Sequence, residues 1–542
     1  MFSFAILIGI YSYLIFVIGL LGILHKQVIL LSTFVFFILC IALFKKRIKY
    51  STKFFTRSIL AKAMQGYSLN NLSFLLLSLI CIQALVNLIG TFGPELGFDA
   101  LWYHLTLPKL YLLNTAIIHI PGSLLYYSDM PKLTEMLYTV GLIFGNETIP
   151  KLISFYFGIL TCLAIYKISR KYLNSFFSLL SVIIFYSNLV VGWQSVTAYV
   201  DLSRTFFEIM ALWGFLNFTE KKEKKWLVES AVMLGLAIST KLLSLGSIVI
   251  FVFVIAYFLY KSKEEISKIT MSIILFVLIS LLIPLPWFIF SIIHTGNPIY
   301  PILTDIYPVS LSLNLLNPIS FVKDVLTILI KSEDPLSPVY LIFIPLIGVY
   351  YKKIPKNIKI ILFYSVISFF VWYITPRTGG GRFILPYLPA YSILISFIIA
   401  KIKNKTIQKY SILLIFVIAV SSISYRGIAN SKYLPVVFGK ESKESFLSSN
   451  LNFSFGDFYD TDGYFKNNIK ETDRVLLYGF HNLYYVNFPF VDSSWVKKGD
   501  DFNYVAVQNS KIPERFSDWS LVYSNSITRV KLYTKGEIRW AY

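Results

Sequence analysis

Apolar runs of 15–22 residues recur along this chain from its start to about residue 425, and they constrain its fold more than any other feature. Soluble cores seldom repeat uncharged helices of that length, whereas about 20 apolar residues match the thickness of a bilayer. Inside lipid every backbone polar group must be paired within its own structure, which makes each run a helix. The pattern predicts thirteen transmembrane helices, at 3–24, 28–44, 72–93, 150–166, 174–190, 199–217, 227–241, 245–260, 270–291, 338–351, 360–375, 383–400 and 410–425. Hydrophobic residues make up 56% of the chain and the mean hydropathy is +0.66, as an all-α polytopic membrane protein requires. The first run lacks a small-residue cleavage site, so it is expected to be a retained helix and not a removed leader.

A formal net charge of +21 suggests nucleic acid until its distribution is considered. The connections 45–62, 167–171, 220–226, 261–268, 351–359 and 401–409 carry 25 Lys/Arg and only four acids, Glu220, Glu223, Glu264 and Glu265. They account for the whole excess, and threading the thirteen spans alternately puts all six on one side. By the positive-inside rule that side is the cytoplasm. The expectation is a multi-pass cell-membrane protein with a cytoplasmic amino terminus, an extracytoplasmic carboxyl tail and no nucleic-acid partner. Cys40, Cys81 and Cys162 lie in or beside apolar runs, so neither a disulfide framework nor a thiolate metal site is expected.

Three zones follow. Residues 1–70 form a transmembrane hairpin and a basic connector. Residues 71–426 form the transmembrane core, with long outer loops at 94–149 and 292–337. Residues 427–542 are near neutral, with 14 Lys/Arg against 13 Asp/Glu, and are expected to fold as a small extracytoplasmic α/β domain. Short β-type runs at 474–479, 504–507, 519–523 and 527–533, separated by turn residues, read as its strands.

Titratable residues gather at the predicted outer ends. Asp99 stands in Phe98-Asp99-Ala100-Leu101-Trp102-Tyr103-His104, just past the third span. A carboxylate there can take a proton from a hydroxyl or bind a divalent cation, and its aromatic neighbours can position a sugar ring. A solvated acid among interfacial aromatics is the plainer reading. Asp201 follows Tyr199 at the head of the sixth span, with Arg204 and Glu208 on the same helical face. Charges within a span cost about 2.5–3.5 kcal/mol each at its centre, so they are seldom idle; a structural Asp–Arg tie is the alternative.

Lys132 and Glu135 fall on an amphipathic segment over 130–141, where a lone outer lysine suits a lipid phosphate or simply snorkels. Arg377 and Arg382 bracket Thr378-Gly379-Gly380-Gly381, a loop able to approach a phosphate closely and grip it with guanidiniums, or else a flexible hairpin. Lys241 is a further anion ligand or another snorkelling residue. His294-Thr295-Gly296-Asn297-Pro298 reads as a turn shaping the outer vestibule. There is no Walker lysine, zinc-protease spacing or nucleophile elbow, and His104, His119, His294 and His481 are scattered.

Taken in order, Phe98-Asp99 through Tyr103-His104, Met130-Pro131-Lys132, Tyr199-Val200-Asp201, Thr295-Gly296-Asn297-Pro298-Ile299-Tyr300-Pro301 and Arg382-Phe383-Ile384-Leu385-Pro386 resemble the GT-C superfamily of polytopic glycosyltransferases. The family 39 type is the nearest, including protein O-mannosyltransferases and the aminoarabinose transferase of lipid A. The resemblance implies an enzyme that moves a sugar from a polyprenyl-phosphate donor to a glycan, lipid or protein acceptor at the extracytoplasmic face. It implies that Asp99 is the general base or acceptor-positioning carboxylate, Asp201 the second acidic position, and Lys132 a ligand of the carrier phosphate. Arg382 and Arg377 would be further phosphate ligands, with Trp102, Tyr103, His104, Glu135 and Tyr199 positioning substrate. No cofactor is implied beyond an optional divalent metal ion, for which Asp99, Glu95 and His104 are the candidate ligands.

Two departures stand out. The Asp-bearing loop follows the third span instead of the first, which an added amino-terminal hairpin would explain. The usual acidic pair of that loop is not evident: Glu95 precedes Asp99 by four residues, and His104 follows. The competing classes are a polysaccharide polymerase or ligase, and a transporter or lipid flippase using Asp201, Arg204 and Glu208 as a pathway. A transporter predicts charges near the middle of several spans, whereas these gather at outer ends. The sugar, the acceptor and the oligomeric state are not encoded in these motifs.

Overall fold

A computed structural model describes residues 1–43, 71–306, 317–327, 335–375, 380–536 and 539–542. The protein is a polytopic helical bundle followed by a small strand-containing domain. A helix or helix pair stands at each of the thirteen expected positions. Among the described residues seven helices are long and apolar enough alone to cross a membrane. An eighth is made by Ile266–Leu282 and Leu285–Thr295, which are bent by 61°. Pro284 sits in that break, where it cannot donate to the helical ladder.

The remaining expected spans are shorter or interrupted. The run at 174–190 divides into Ser175–Tyr186 and Leu189–Gln194, with the Asn188 side chain capping the second piece. That second helix occupies the first half of the connection expected at 191–198. The run at 338–351 divides into Pro338–Phe343 and Leu346–Tyr350 around Pro345. The run at 383–400 becomes a continuous helix only at Leu388–Lys401, and the sixth span starts at Asp201, so Tyr199 lies ahead of it. The basic connector 45–62 lies outside the described residues.

The Asp201–Lys221 helix explains why a charged segment can be a core element. It packs against Thr148–Ser169, Lys224–Thr240, Lys356–Ile374 and Leu388–Lys401, and nearly every residue from Asp201 to Phe218 is buried. Its partners are protein and not lipid, and its charged side chains Asp201, Arg204 and Glu208 each meet a charged side chain. Lys222, in the left-handed region at φ 59°, ends it and turns the chain into Lys224–Thr240. The two helices touch at Gly214, where a Cβ would stand 2.9 Å from the Ser230 backbone. Small residues permit such close crossings inside membranes. Gly214→Val is expected to push the helices apart and lower the melting temperature of the detergent-purified protein, while Gly427→Ala, which has open space around it, should not.

The long segment between the third and fourth spans is itself structured. It holds a single π-helical turn, Ala100–His104, then Thr106–Leu113, a short turn at Tyr126–Asp129, and Leu133–Ile143, the expected amphipathic element. The turn after the first helix binds it, through Leu24 N to Thr115 O and Ile117 N to Gly19 O. The connections at 167–171, 220–226, 261–268 and 351–359 meet one another: Lys171 pairs with Glu220 at 2.8 Å, Asn357 bonds Glu220, and Lys356 bonds Ser262.

The carboxyl-terminal region carries a five-stranded mixed sheet, ordered β2-β1-β4-β6-β5, with β1 Val475–Tyr478, β2 Phe490–Asp492, β4 Tyr504–Gln508, β5 Ser520–Asn525 and β6 Val530–Thr534. The short strands β3 Asp501–Phe502 and β7 Trp540–Ala541 pair separately. β1, β4, β5 and β6 fall on the four expected strand segments. This domain rests on the long segment. Tyr484 N donates to Leu101 O, and Lys109 Nζ donates to Tyr484 O, Val486 O and Asn487 Oδ1 at 2.6–2.9 Å. Burial pushes the Lys109 ammonium down to about 7. Glu147 adds a second anchor, meeting Lys443 at 2.8 Å and Tyr485 Oη at 2.9 Å.

Candidate active site

Asp99 closes the loop that leaves the Asn71–Phe92 helix, immediately before the π-helical turn. Such widened turns re-aim side chains and recur at functional sites. Glu95 holds the loop in place: its carboxylate accepts from Leu96 N and Gly97 N on one oxygen and Ala198 N on the other, at 2.7–2.9 Å. Asp99 N donates to Tyr199 Oη at 2.9 Å, while the Tyr199 carbonyl accepts from Tyr138 and Ser154. The loop and the head of the Asp201–Lys221 helix are thereby fixed to each other.

Asp201 occupies the first turn of its helix, where the unpaired backbone N–H groups favour a negative charge. Lys241 stands at the carboxyl end of Lys224–Thr240, the complementary place for a cation, and reaches Asp201 Oδ1 at 2.7 Å. Arg382 then joins the two carboxylates. Its Nη2 lies 2.7 Å from Asp99 Oδ2 and its Nε 3.6 Å from Asp201 Oδ2, with the guanidinium 5.0 Å over the Tyr199 ring. Asp201 is fully buried and Asp99 and Arg382 nearly so. Two acids and two bases from four separate stretches therefore form one buried chain of charges: Asp99, Arg382, Asp201, Lys241. Burial opposes the ionised form of Asp99, but Arg382, then His104 and Lys241, outweigh it and hold its carboxyl below the ordinary value.

Around this chain lie the other expected site residues. Tyr103 Oη donates to Asp99 Oδ2 at 3.2 Å. Lys132 is buried and sits 6.0 Å over the Tyr103 ring; burial lowers its ammonium, against the pull of Glu135 and Asp129. His104 Nδ1 lies 2.8 Å from Glu135 Oε1. Trp102 donates its indole N–H to Leu124 O and packs edge-on to Tyr127. Arg377 lies outside the described residues.

Three candidate metal ligands do not converge. Glu95 is consumed by the loop backbone, and among the described residues no group of three or more His, Cys, Asp and Glu is placed to hold an ion. Arg204 and Glu208 are also separate from the chain of charges. They pair at 3.7 Å, and Tyr387 and Ser247 join them, with Arg204 Nη2 to Tyr387 Oη at 3.1 Å and Ser247 Oγ to Glu208 at 2.6 Å. They tie helices together and do not continue a path from Asp201.

Two features were not legible beforehand. His481, a lone histidine of the tail, stacks on Phe98 at 4.8 Å and contacts Trp102 at 4.4 Å between ring centroids, so the sheet domain roofs the Asp99 loop. Asp129 is buried and gathers His119 at 2.9 Å and, more distantly, His294, whose rings stack at 5.0 Å. No sequence spacing announces either cluster.

Comparison with known proteins agrees with this architecture. Residues 136–290 match the protein family described as dolichyl-phosphate-mannose-protein mannosyltransferase. No curated protein matches the chain by sequence. Among solved structures, ArnT from Cupriavidus metallidurans bound to undecaprenyl phosphate superposes with a TM-score of 0.54 at 12% identity, over 85% of this chain and 97% of that one. Its apo form gives 0.55 at 11% identity, over 86% and 98%. The oligosaccharyltransferase AglB from Archaeoglobus fulgidus is more distant, with 0.47 at 12% identity over 80% and 69%. The bundle, its long structured loop and its terminal domain thus share the fold of ArnT. Over residues 136–290 the chain is also similar in sequence to the dolichyl-phosphate-mannose-protein mannosyltransferase family.

Proposed function

We propose that this protein is an integral membrane glycosyltransferase that moves a sugar from a polyprenyl-phosphate donor to a glycan, lipid or protein acceptor at the extracytoplasmic face. The observation that carries the proposal is the buried Asp99–Arg382–Asp201–Lys241 chain at the head of a GT-C bundle. A lipid-phosphate donor needs no nucleotide-binding fold. It needs cations where its leaving phosphate gains charge, and a carboxylate where the incoming hydroxyl is held. Arg382 and Lys132 are suited to the phosphate and Asp99 to the hydroxyl.

An apolar groove of about 380 Å³, lined by Tyr340, Leu341, Ile344, Leu388, Tyr391 and Ile384 (two residues along the chain from Arg382), suits an isoprenoid tail. The reaction is a single displacement. The hydroxyl oxygen bonds to the anomeric carbon as the bond from that carbon to the phosphate oxygen breaks, with inversion. Arg382 meets the departing phosphate from the side on which Asp99 and Asp201 fix it.

The test is direct: purified protein in nanodiscs is offered a panel of radiolabelled polyprenyl-phosphate sugars with host membranes, and the labelled acceptor is identified. Transfer from one donor supports the proposal. Movement of labelled lipid between leaflets with no transfer would favour a flippase. In the same assay Lys132→Met is expected to raise the donor KM by about ten- to a hundredfold, the loss of one charge-assisted hydrogen bond.

A further inference from the structure

The family resemblance leaves two roles open for Asp99, and the geometry beside it separates them. Within the chain of charges Arg382 Nε and Asp201 Oδ2 face each other at 3.6 Å, and beside it two further buried polar atoms, His104 Nε2 and Glu135 Oε2, have no hydrogen-bond partner among the described residues. The latter two belong to one pair, joined at 2.8 Å through His104 Nδ1 and Glu135 Oε1, and each residue is 2% exposed. A carboxylate at Nδ1 keeps the hydrogen there and leaves the lone pair on Nε2. That is the protonation state in which an imidazole accepts a proton.

The ring is clamped. It lies 4.2 Å from the Tyr103 ring and 5.6 Å from that of Tyr199, the two tyrosines that hold Asp99 by its carboxylate and its backbone. The charges acting on His104 come from every side: Glu135 on Leu133–Ile143, Asp99 ahead of its own turn, and Lys241 at the end of Lys224–Thr240. Asp201 interacts with it as well.

We propose that His104 Nε2 takes the proton of the acceptor hydroxyl, with Glu135 as the positioning residue that fixes its tautomer, and that Asp99 orients the hydroxyl. This rests on the transferase reading above. The O–H bond breaks toward Nε2, and the oxygen's electron pair forms the bond to the anomeric carbon. The carbon–oxygen bond to the phosphate breaks, its pair staying on the polyprenyl phosphate. The imidazolium formed is stabilised by Glu135 and later returns its proton to solvent. Asp99 is poorly suited to be the base: Arg382 and Tyr103 occupy its Oδ2, and its depressed carboxyl binds protons weakly. Burial lowers the His104 imidazole below its ordinary value despite Glu135, so it is neutral and ready at pH 7.

Single-turnover transfer is measured against pH in nanodiscs with the donor that wild type accepts. Wild type should show one ascending limb, because only neutral imidazole is active. His104→Gln should lower the rate by about 10²–10⁴-fold and erase that limb. Glu135→Gln should keep a limb but move it to lower pH, because the charge that favoured the imidazolium is gone; Glu135→Asp should restore part of the rate. A wild-type rate and limb in His104→Gln overturn the proposal, and so does an unmoved limb in Glu135→Gln, which serves if the histidine variant melts early. A wild-type protein that transfers no sugar from any donor overturns the transferase reading as well.

Discussion

Arg382→Ala should lower sugar transfer by at least about 10²–10³-fold, the size seen when one preorganised donor to a developing negative charge is removed. The guanidinium has two tasks here. Among the described residues it bridges Asp99 and Asp201, at 2.7 and 3.6 Å. In the reaction it would meet the leaving phosphate. Removing it strands buried carboxylates, a change worth about 3–5 kcal/mol when one partner of a buried pair is lost. Asp99 then loses the main influence that holds its carboxyl low, and its affinity for protons rises.

Arg382→Lys separates the tasks. A lysine restores the charge but cannot hold two carboxylates in one plane, so it should recover much of the melting temperature and little of the rate. Thermal unfolding and single-turnover transfer on the three proteins check this. Equal recovery of both would mean that Arg382 is structural only.

Asp99→Asn and Asp201→Asn should each abolish transfer while leaving membrane insertion intact. Asn keeps the shape and some hydrogen bonds, so what each variant removes is charge. For Asp201 the consequence falls on Lys241 and Arg382, two cations that it fixes from the first turn of a buried helix. Their positions relax, and the phosphate site is no longer preorganised. For Asp99 the consequence falls on Arg382 and on the hydroxyl that it would orient. Turnover at the wild-type rate in both variants would remove this cluster from the chemistry.

How much of this could be read from the chain differs between fold and site. Hydropathy located a helix at every expected span because lipid and core alike demand apolar side chains over a fixed length. It could not place the breaks at Asn188, Pro284 and Pro345, which depend on local caps and on where prolines fall within a run. Nor could it show that Asp201–Lys221 is wrapped by other helices, which is what allows its charges.

The site residues stood out one by one as charges at span ends. Their meeting did not: Arg382 and Asp99 are 283 residues apart, and His104 and Glu135 are 31. Glu95 showed the reverse problem. It looked like a partner of Asp99 in chemistry, and its carboxylate is spent on three backbone N–H groups. His481 gave no signal, because its role depends wholly on how the sheet domain settles over Phe98 and Trp102.

In the proposed reaction the donor carries its sugar on a single lipid phosphate, cleaved at the Asp99–Arg382–Asp201 cluster. The most direct measurement counts products: lipid phosphate released, resolved by ³¹P NMR, against labelled sugar transferred, in wild type and in Asp99→Asn. One polyprenyl monophosphate per sugar in wild type, and neither product in the variant, is the predicted result. Release of a polyprenyl pyrophosphate, or transfer that persists in Asp99→Asn, would contradict it.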